Sequence, residues 1–290
     1  MKKKEFDMLN DKQIVFLGAG NMAEALIKGI VNAKLLQPSN ITATDIKKER
    51  LEFLKSKYFI NTSTNNKDAI HGKDIIILAV KPQTISYVLA EIADILNKSG
   101  LIISIAAGIT TSFIKSVIGS DVRVIRVMPN MPALVSEGVT AIAFNEASIS
   151  FQDATNDQER RTKNDELNIA SKIFNSVGQT VLVNEKLMDA VTALSGSGPA
   201  YIFLIIEALI EGGVKMGLSR DIASILAAQT VFGSTKLLIE TKEHPAKLKD
   251  MVTSPGGTTA SGLYVLEKCR IRAALIEAVE AATKRARELG

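Results

Sequence analysis

The 290-residue sequence has no tryptophan, one cysteine and two histidines, and aromatic residues make up only 5% of it. With Cys269 as its sole thiol the chain closes no internal disulfide, which fits a reducing, cytoplasmic setting. Cysteine and histidine at zinc-ligand spacing are absent, and no metal is expected. The 35 basic residues nearly match the 31 acidic ones, leaving a net charge of +4. No basic patch interleaved with aromatics stands out, so nucleic acid is not an expected partner. Long hydrophobic runs are missing too. The longest, such as Ile75 to Val80 and Tyr201 to Ile206, fall far short of the roughly 20 residues that cross a bilayer, which predicts a soluble protein with no membrane partner. Met1-Lys2-Lys3-Lys4 imitates the start of an export signal, but Glu5, Asp7, Asn10 and Asp11 stand where its apolar segment would be. Residues 1–12 therefore read as a flexible tail.

What is present is plentiful aliphatic side chain, enough for about two domains, and one stretch around which the rest is arranged. Ile14-Val15-Phe16-Leu17 is a short apolar run of the kind buried on both faces of a parallel sheet. It breaks into Gly18-Ala19-Gly20-Asn21-Met22-Ala23. Gly18 allows a tight turn, Gly20 lets the backbone approach a pyrophosphate, and Ala23 is small enough for the new helix to pack on the strand. That helix carries Met22, Ala25, Leu26, Ile30 and Val31 on one side, so its free N–H groups and positive dipole end face the diphosphate. This is the seat of a dinucleotide.

A second strand over 40–44 brings Thr44 and Asp45 towards the adenosine ribose. Asp45 accepts hydrogen bonds from a free 2′-hydroxyl and repels a 2′-phosphate, which favours NADH. Lys47, Lys48 and Arg50 follow at once, and one of them folding back onto a phosphate keeps NADPH open; the alternative is that they are solvated charges on the Lys47 to Lys57 helix. A weak third strand at Phe59-Ile60 leads to Asn66, and Asp74 to Val80 forms a fourth, closing on Lys81-Pro82. Ala79, Val80, Lys81 and Pro82, and the small-residue turn Ala106-Ala107-Gly108 after a strand at 101–105, are expected at the carboxyl edge where a doubly wound sheet binds its ligand. A strand over 122–127 stops at Met128-Pro129-Asn130, where Asn130 serves either the loop backbone or a ligand. Val139 to Phe144 reads as an edge strand, 145–165 as a polar surface loop, 166–177 as a helix, and 180–183 as the last strand. The order predicts an α/β Rossmann-type domain over residues 13–184.

From residue 185 strand signals cease, and helical stretches follow at 188–194, 200–216, 220–241 and 261–289. Residues 185–290 are expected to form an all-α domain. Tyr201 to Ile210 is apolar nearly all round, interrupted only by Glu207, and a domain of about 105 residues cannot cover such a helix alone. Two chains interleaving their helices, a homo-oligomer, is the consequence. Two glycine-rich loops interrupt the helices, Ser195-Gly196-Ser197-Gly198-Pro199 and Thr253-Ser254-Pro255-Gly256-Gly257-Thr258-Thr259. The second combines flexible glycines, hydroxyls and a helix start, a pocket for a carboxylate or phosphate; it equally suits a capped interhelical turn.

With these motifs in view, the chain from about Gln13 onwards closely resembles the pyrroline-5-carboxylate reductases. The resemblance rests on Gly18 to Ala23, Ala79-Val80-Lys81-Pro82, Arg126-Val127-Met128-Pro129-Asn130, Asp189 to Tyr201, His244-Pro245 and Ser254 to Thr259. It implies reduction of 1-pyrroline-5-carboxylate to L-proline by hydride transfer from NADPH or NADH, the last step of proline synthesis. It further implies a helical domain that dimerises, with a decamer as a further assembly left open, and a substrate lying between the nicotinamide and the Ser254 to Thr259 loop. Substrate contacts fall on Glu185, Ser254, Gly256, Gly257, Thr258 and Thr259: the amides of the last three hold the carboxylate, and the Thr259 hydroxyl, the catalytic group, reaches the ring nitrogen. Asp45 departs from the small hydroxyl residue that some members place beside a 2′-phosphate. The similar two-domain hydroxy-acid dehydrogenases place a catalytic lysine on the helix after the glycine loop, whereas here Pro199, Ala200, Tyr201, Ile202 and Phe203 follow Gly198. A nucleotide-binding sensor without catalysis would have no need of the Ser254 to Thr259 loop.

Overall fold

The computed structural model describes residue 9 and residues 11–144 and 157–289. The chain forms two compact units, one drawn from Met1–Gly196 with Ala282–Gly290, the other from Ser197–Ala281.

The first unit is built on eight strands: β1 (Ile14–Leu17), β2 (Ile41–Thr44), β3 (Asn61–Ser63), β4 (Ile75–Leu78), β5 (Leu101–Ser104), β6 (Arg123–Met128), β7 (Gly138–Phe144) and β8 (Gly178–Asn184). They lie in the order β3-β2-β1-β4-β5-β6-β7-β8. Strands β1 to β6 are parallel, β7 turns back antiparallel to β6, and β8 runs parallel to β7. Burial on both faces explains the unbroken Ile, Val and Leu of β1, β4 and β5. Alternate side chains divide between two cores: Ile14, Phe16, Ile75, Ile77, Leu101 and Ile103 pack on one face, and Val15, Leu17, Ile76, Leu78 and Ile102 on the other. The first core includes residues of helices α1 (Asn21–Asn32), α2 (Lys48–Tyr58) and α6 (Asp157–Asn175); the second takes in α3 (Asn66–Ile70), α4 (Ile85–Ile92) and α5 (Thr111–Ile118). The sequence progresses outward from β1 through β2 to β3 and then returns to β4 on the other side, so the switch in strand order lies between β1 and β4.

Several boundaries differ from the sequence-based expectations, each for a physical reason. Strand β7 is interior, because β8 pairs with its outer side over seven residues. The polar stretch over 157–165 is the first part of α6, not loop; charged residues suit an exposed helix as well as a loop, and composition alone does not separate them. The expectation for 145–156 and most of the tail at 1–12 lies outside the described residues. Phe59 ends α2 in the left-handed conformation, φ 58°, which moves β3 two residues along.

The second unit is helical: α8 (Gly198–Lys215), α9 (Arg220–Thr241), α10 (Pro245–Met251), α11 (Thr258–Lys268) and α12 (Ile271–Leu289), whose last residues belong to the first unit. Before them stands the single-turn helix α7 (Met188–Val191), which passes into a π-helical turn at Thr192–Gly196. The single helix expected at 261–289 is two, broken where Arg270 adopts φ 58°. Among the described residues of Ser197–Ala281 only Ala223 and Ala227 are buried hydrophobics. Ile202, Phe203, Leu204, Ile225 and Phe232 are all at least 44% exposed. The consecutive turns Glu185–Lys215 and the helix α9 are long and apolar enough to cross a membrane, although only 6% and 11% of their most apolar windows are buried in the chain. The reading from run length missed this, because single polar residues such as Glu207 interrupt the runs without changing the helix average.

Candidate functional site

Where β1 gives way to α1, Gly18 adopts φ +100°, and a Cβ there would lie 2.7 Å from the Ala79 carbonyl oxygen. Only glycine fits. Gly20 is the opposite case. Its Cβ would meet nothing within 4 Å, so the protein itself leaves the space open. The first intrahelical bond of α1 is Glu24 N–H to Gly20 C=O, 3.0 Å, which leaves the N–H groups of Asn21, Met22 and Ala23 unused by the helix. Ala23 is fully buried, as close packing of α1 on β1 demands.

Around this turn lies a cleft of about 620 Å³, lined among others by Gly18, Ala19, Gly20, Asn21, Thr44, Asp45, Asn66, Ala79, Val80 and Lys81. Ten of the expected cofactor residues thus meet at one site, and its size suits a small-molecule ligand. Met22 and Pro82 directly follow lining residues in the chain, and Ala23 stands two residues after Asn21. Ala106, Ala107 and Gly108 follow β5 at the same carboxyl edge of the sheet; Gly108 lines a second cavity.

The floor of the cleft is held by charged and amide side chains. Asp45 is half-buried, and its carboxylate accepts the Ala19 N–H at 3.0 Å and the Lys47 N–H at 3.0 Å. Thr44 Oγ1 donates to Asn66 Oδ1 at 2.6 Å, and the Asn66 amide donates to Glu91 at 2.8 Å, which fixes the Asn66 orientation. Arg50 Nε donates to the Ala19 carbonyl at 2.7 Å, and its Nη2 reaches Glu24 at 2.6 Å. Glu24 also receives Lys57 and the Tyr58 hydroxyl, each at 3.0 Å. Burial acts to raise the Glu24 pKa, but the bonds from Arg50, Lys57 and Tyr58 outweigh it and hold the carboxyl below its ordinary value. Of the three basic residues that followed Asp45 in the sequence, Arg50 therefore braces the glycine turn, while Lys47 and Lys48 are exposed.

The Ser254 to Thr259 loop belongs to the second unit. Gly256 takes φ +69°, Gly257 caps α11, and Gly257 N–H bonds to the Ser254 carbonyl at 3.0 Å. The first bond within α11 is Ser261 N–H to Gly257 C=O, 3.2 Å, so the Thr258 and Thr259 N–H groups point out of the helix end. Glu185 lies in the first unit, with both oxygens engaged: Thr111 N–H at 2.8 Å and Thr111 Oγ1 at 2.6 Å. Sequence reasoning offered no signal for this pair, since 74 residues separate its members and α5 carried no expectation. Asn130 serves the backbone, accepting the Val139 N–H at 2.9 Å.

Comparison with known proteins bears on both units. Residues 185–289 match the family model of pyrroline-5-carboxylate reductase dimerisation, and residues 13–108 match that of an NADP oxidoreductase, coenzyme F420-dependent. The pyrroline-5-carboxylate reductase of Methanosarcina acetivorans is 44% identical over 282 residues, 97% of this chain and 99% of that one. Among solved structures, the pyrroline-5-carboxylate reductase of Coxiella burnetii superposes with a TM-score of 0.84 at 38% identity, covering 97% of this chain and 99% of the other. The pyrroline carboxylate reductase of Plasmodium falciparum, solved with NADP bound, superposes with a TM-score of 0.82 at 35% identity and the same coverage. A glycine turn with open space beside unused helix N–H groups, a helical domain that matches the dimerisation model, and 44% identity over nearly the full length of a relative lead to one conclusion: this chain belongs to the pyrroline-5-carboxylate reductase family.

Proposed function

We propose the following residue roles in the reaction this chain catalyses as a family member, the NAD(P)H-dependent reduction of 1-pyrroline-5-carboxylate to L-proline in proline biosynthesis. The observation that carries the cofactor assignment is the opening over Gly20 beside the unused N–H groups of α1. There the diphosphate would be held. Thr44, Asp45 and Asn66 border the adenosine ribose, and Ala79, Val80, Lys81, Pro82, Ala106, Ala107 and Gly108 border the nicotinamide half. The reduced nicotinamide supplies the hydride.

A protonated cyclic imine is already an electrophile, so the residues need only orient it, donate one hydrogen bond to its nitrogen and exclude water. The N–H groups of Thr258 and Thr259 hold the substrate carboxylate, with Ser254 and Gly256 shaping the turn; the Gly257 N–H, also expected on the carboxylate, is instead bonded to the Ser254 carbonyl, so Gly257 contributes the turn and not a donor. The Thr259 hydroxyl meets the ring nitrogen. Glu185 is assigned to the substrate side by the resemblance; its bonds to Thr111 support a role in fixing the start of α5 as well.

Asp45 favours NADH, and with Arg50 committed to Glu24 and the Ala19 carbonyl, Lys47 and Lys48 remain for a 2′-phosphate. A domain boundary at 184/185 is supported by the end of the last strand and the start of the dimerisation match, although the compact units divide at 196/197. A homodimer whose second copy covers α8 and α9, its further assembly to a decamer, and a cytoplasmic location consistent with one cysteine complete the reading. The deciding experiment follows reduced-nicotinamide absorbance with 1-pyrroline-5-carboxylate, NADH and NADPH side by side. Oxidation is expected with NADH at least as fast as with NADPH; a cofactor-binding, folded protein that oxidises neither would overturn the assignment.

A further inference from the structure

The first unit contains a second cavity, also of about 620 Å³, lined by Gly108, Thr110, Ser112, Arg126, Glu185, Lys186, Asp189, Ala286 and Arg287. None of the diphosphate-turn residues takes part. Its charges do not balance: three cations face two carboxylates, and both oxygens of Glu185 are already taken by Thr111. Arg126 is decisive. It is only 4% exposed, yet its one ion-pair partner among the described residues is Asp189 at 3.5 Å, beyond the range of a good hydrogen bond. A guanidinium has five N–H donors, and burying them without acceptors is costly. Among the described residues no hydrogen bond or ion pair forms to the side chains of Lys186 and Arg287, which are exposed. The Thr110 and Ser112 hydroxyls add short polar groups at the wall.

We propose that this cavity, which shares Gly108 with the proposed nicotinamide contacts and Glu185 with the proposed substrate contacts, is an anion site distinct from the diphosphate seat, taking a small molecule through an oxyanion group, carboxylate or phosphate. The planar fork of Arg126 matches such a group with two parallel hydrogen bonds, which Lys186 and Arg287 reinforce from the rim. An occupant would also touch Gly108 and Thr110, in the loop that follows β5 and carries Ala106 and Ala107.

The test is calorimetric titration of the protein saturated with NADP⁺, so that the diphosphate seat is filled, with inorganic phosphate and separately with acetate at constant ionic strength. Saturable binding of one of the two is expected: phosphate alone identifies a phosphate group as the ligand chemistry, acetate alone a carboxylate, and both a site for oxyanions in general. In a K186A/R287A variant, whose changes are at exposed positions, affinity should fall about tenfold or more. R126K, which keeps the charge and removes the fork, should weaken binding with circular dichroism unchanged. Absence of saturable binding with both anions, or equal affinity in wild type and K186A/R287A, would overturn the proposal.

Discussion

At Thr259 a single hydroxyl carries the proposed chemistry, and its position at the second residue of α11 places hydroxyl and amide on the same turn. Thr259→Ala is expected to lower kcat by about 10- to 100-fold, within the usual range for losing one positioned donor, while cofactor affinity stays within about twofold. Steady-state kinetics beside fluorescence titration of NADPH checks this, and an unchanged kcat removes Thr259 from the mechanism. Asp45 is a different sort of residue, because it both carries the proposed ribose contact and accepts the Ala19 N–H of the glycine turn. Asp45→Ser removes the charge but keeps one acceptor. The ratio of kcat/KM for NADPH over NADH should rise about tenfold. A fall with both cofactors at constant ratio would mean that Asp45 serves the turn alone. Asp45 was legible from its distance after the glycines, yet its bond back to Ala19 was not, since nothing local specifies which backbone group its second oxygen meets.

Helices α1 and α2 are joined through Glu24, which gathers Arg50, Lys57 and Tyr58 at one carboxylate. Arg50 in turn holds the Ala19 carbonyl, so this tie between elements also braces the glycine turn. Because the folded-state pKa of Glu24 lies below its ordinary value of 4.5, the tie contributes fully above that value and is lost as pH falls through the lowered one. Glu24→Gln should therefore cost about 1 kcal/mol at neutral pH and less as the medium becomes acidic, narrowing the gap to wild type. Denaturant melts between neutral pH and pH values below the ordinary carboxylate range measure it; a constant gap would show that the cost is packing, not charge. Element existence was legible from periodicity for β1, α1, β4 and β5. Edge position was not: Val139 to Phe144 is apolar apart from Thr140, a pattern that does not separate an edge strand from an interior one, and only the return of the chain through α6 to β8 covers its outer side.

A unit whose only buried hydrophobics among its described residues are Ala223 and Ala227 does not stand alone in water. Its apolar faces belong in a shared core, which agrees with its match to a dimerisation domain. Ile225, on α9, is 69% exposed in the single chain. Ile225→Glu should weaken self-association by about 100-fold or more and lower Tm, read by sedimentation velocity over a dilution series. An unchanged dimer would place the interface elsewhere on these helices. By itself the sequence determined what depends on near neighbours: the strand-glycine-helix turn, the change from strand to helix periodicity near residue 185, and the Ser254 to Thr259 loop at a helix start. Those features follow from backbone sterics and side-chain spacing over a few residues. Only the tertiary structure decided that Arg50 is spent on Glu24, that Glu185 clasps Thr111, and that Arg126 is buried beside a cavity with one distant carboxylate. Such pairings join groups tens of residues apart, and their geometry exists only once the sheet has brought the strand ends together.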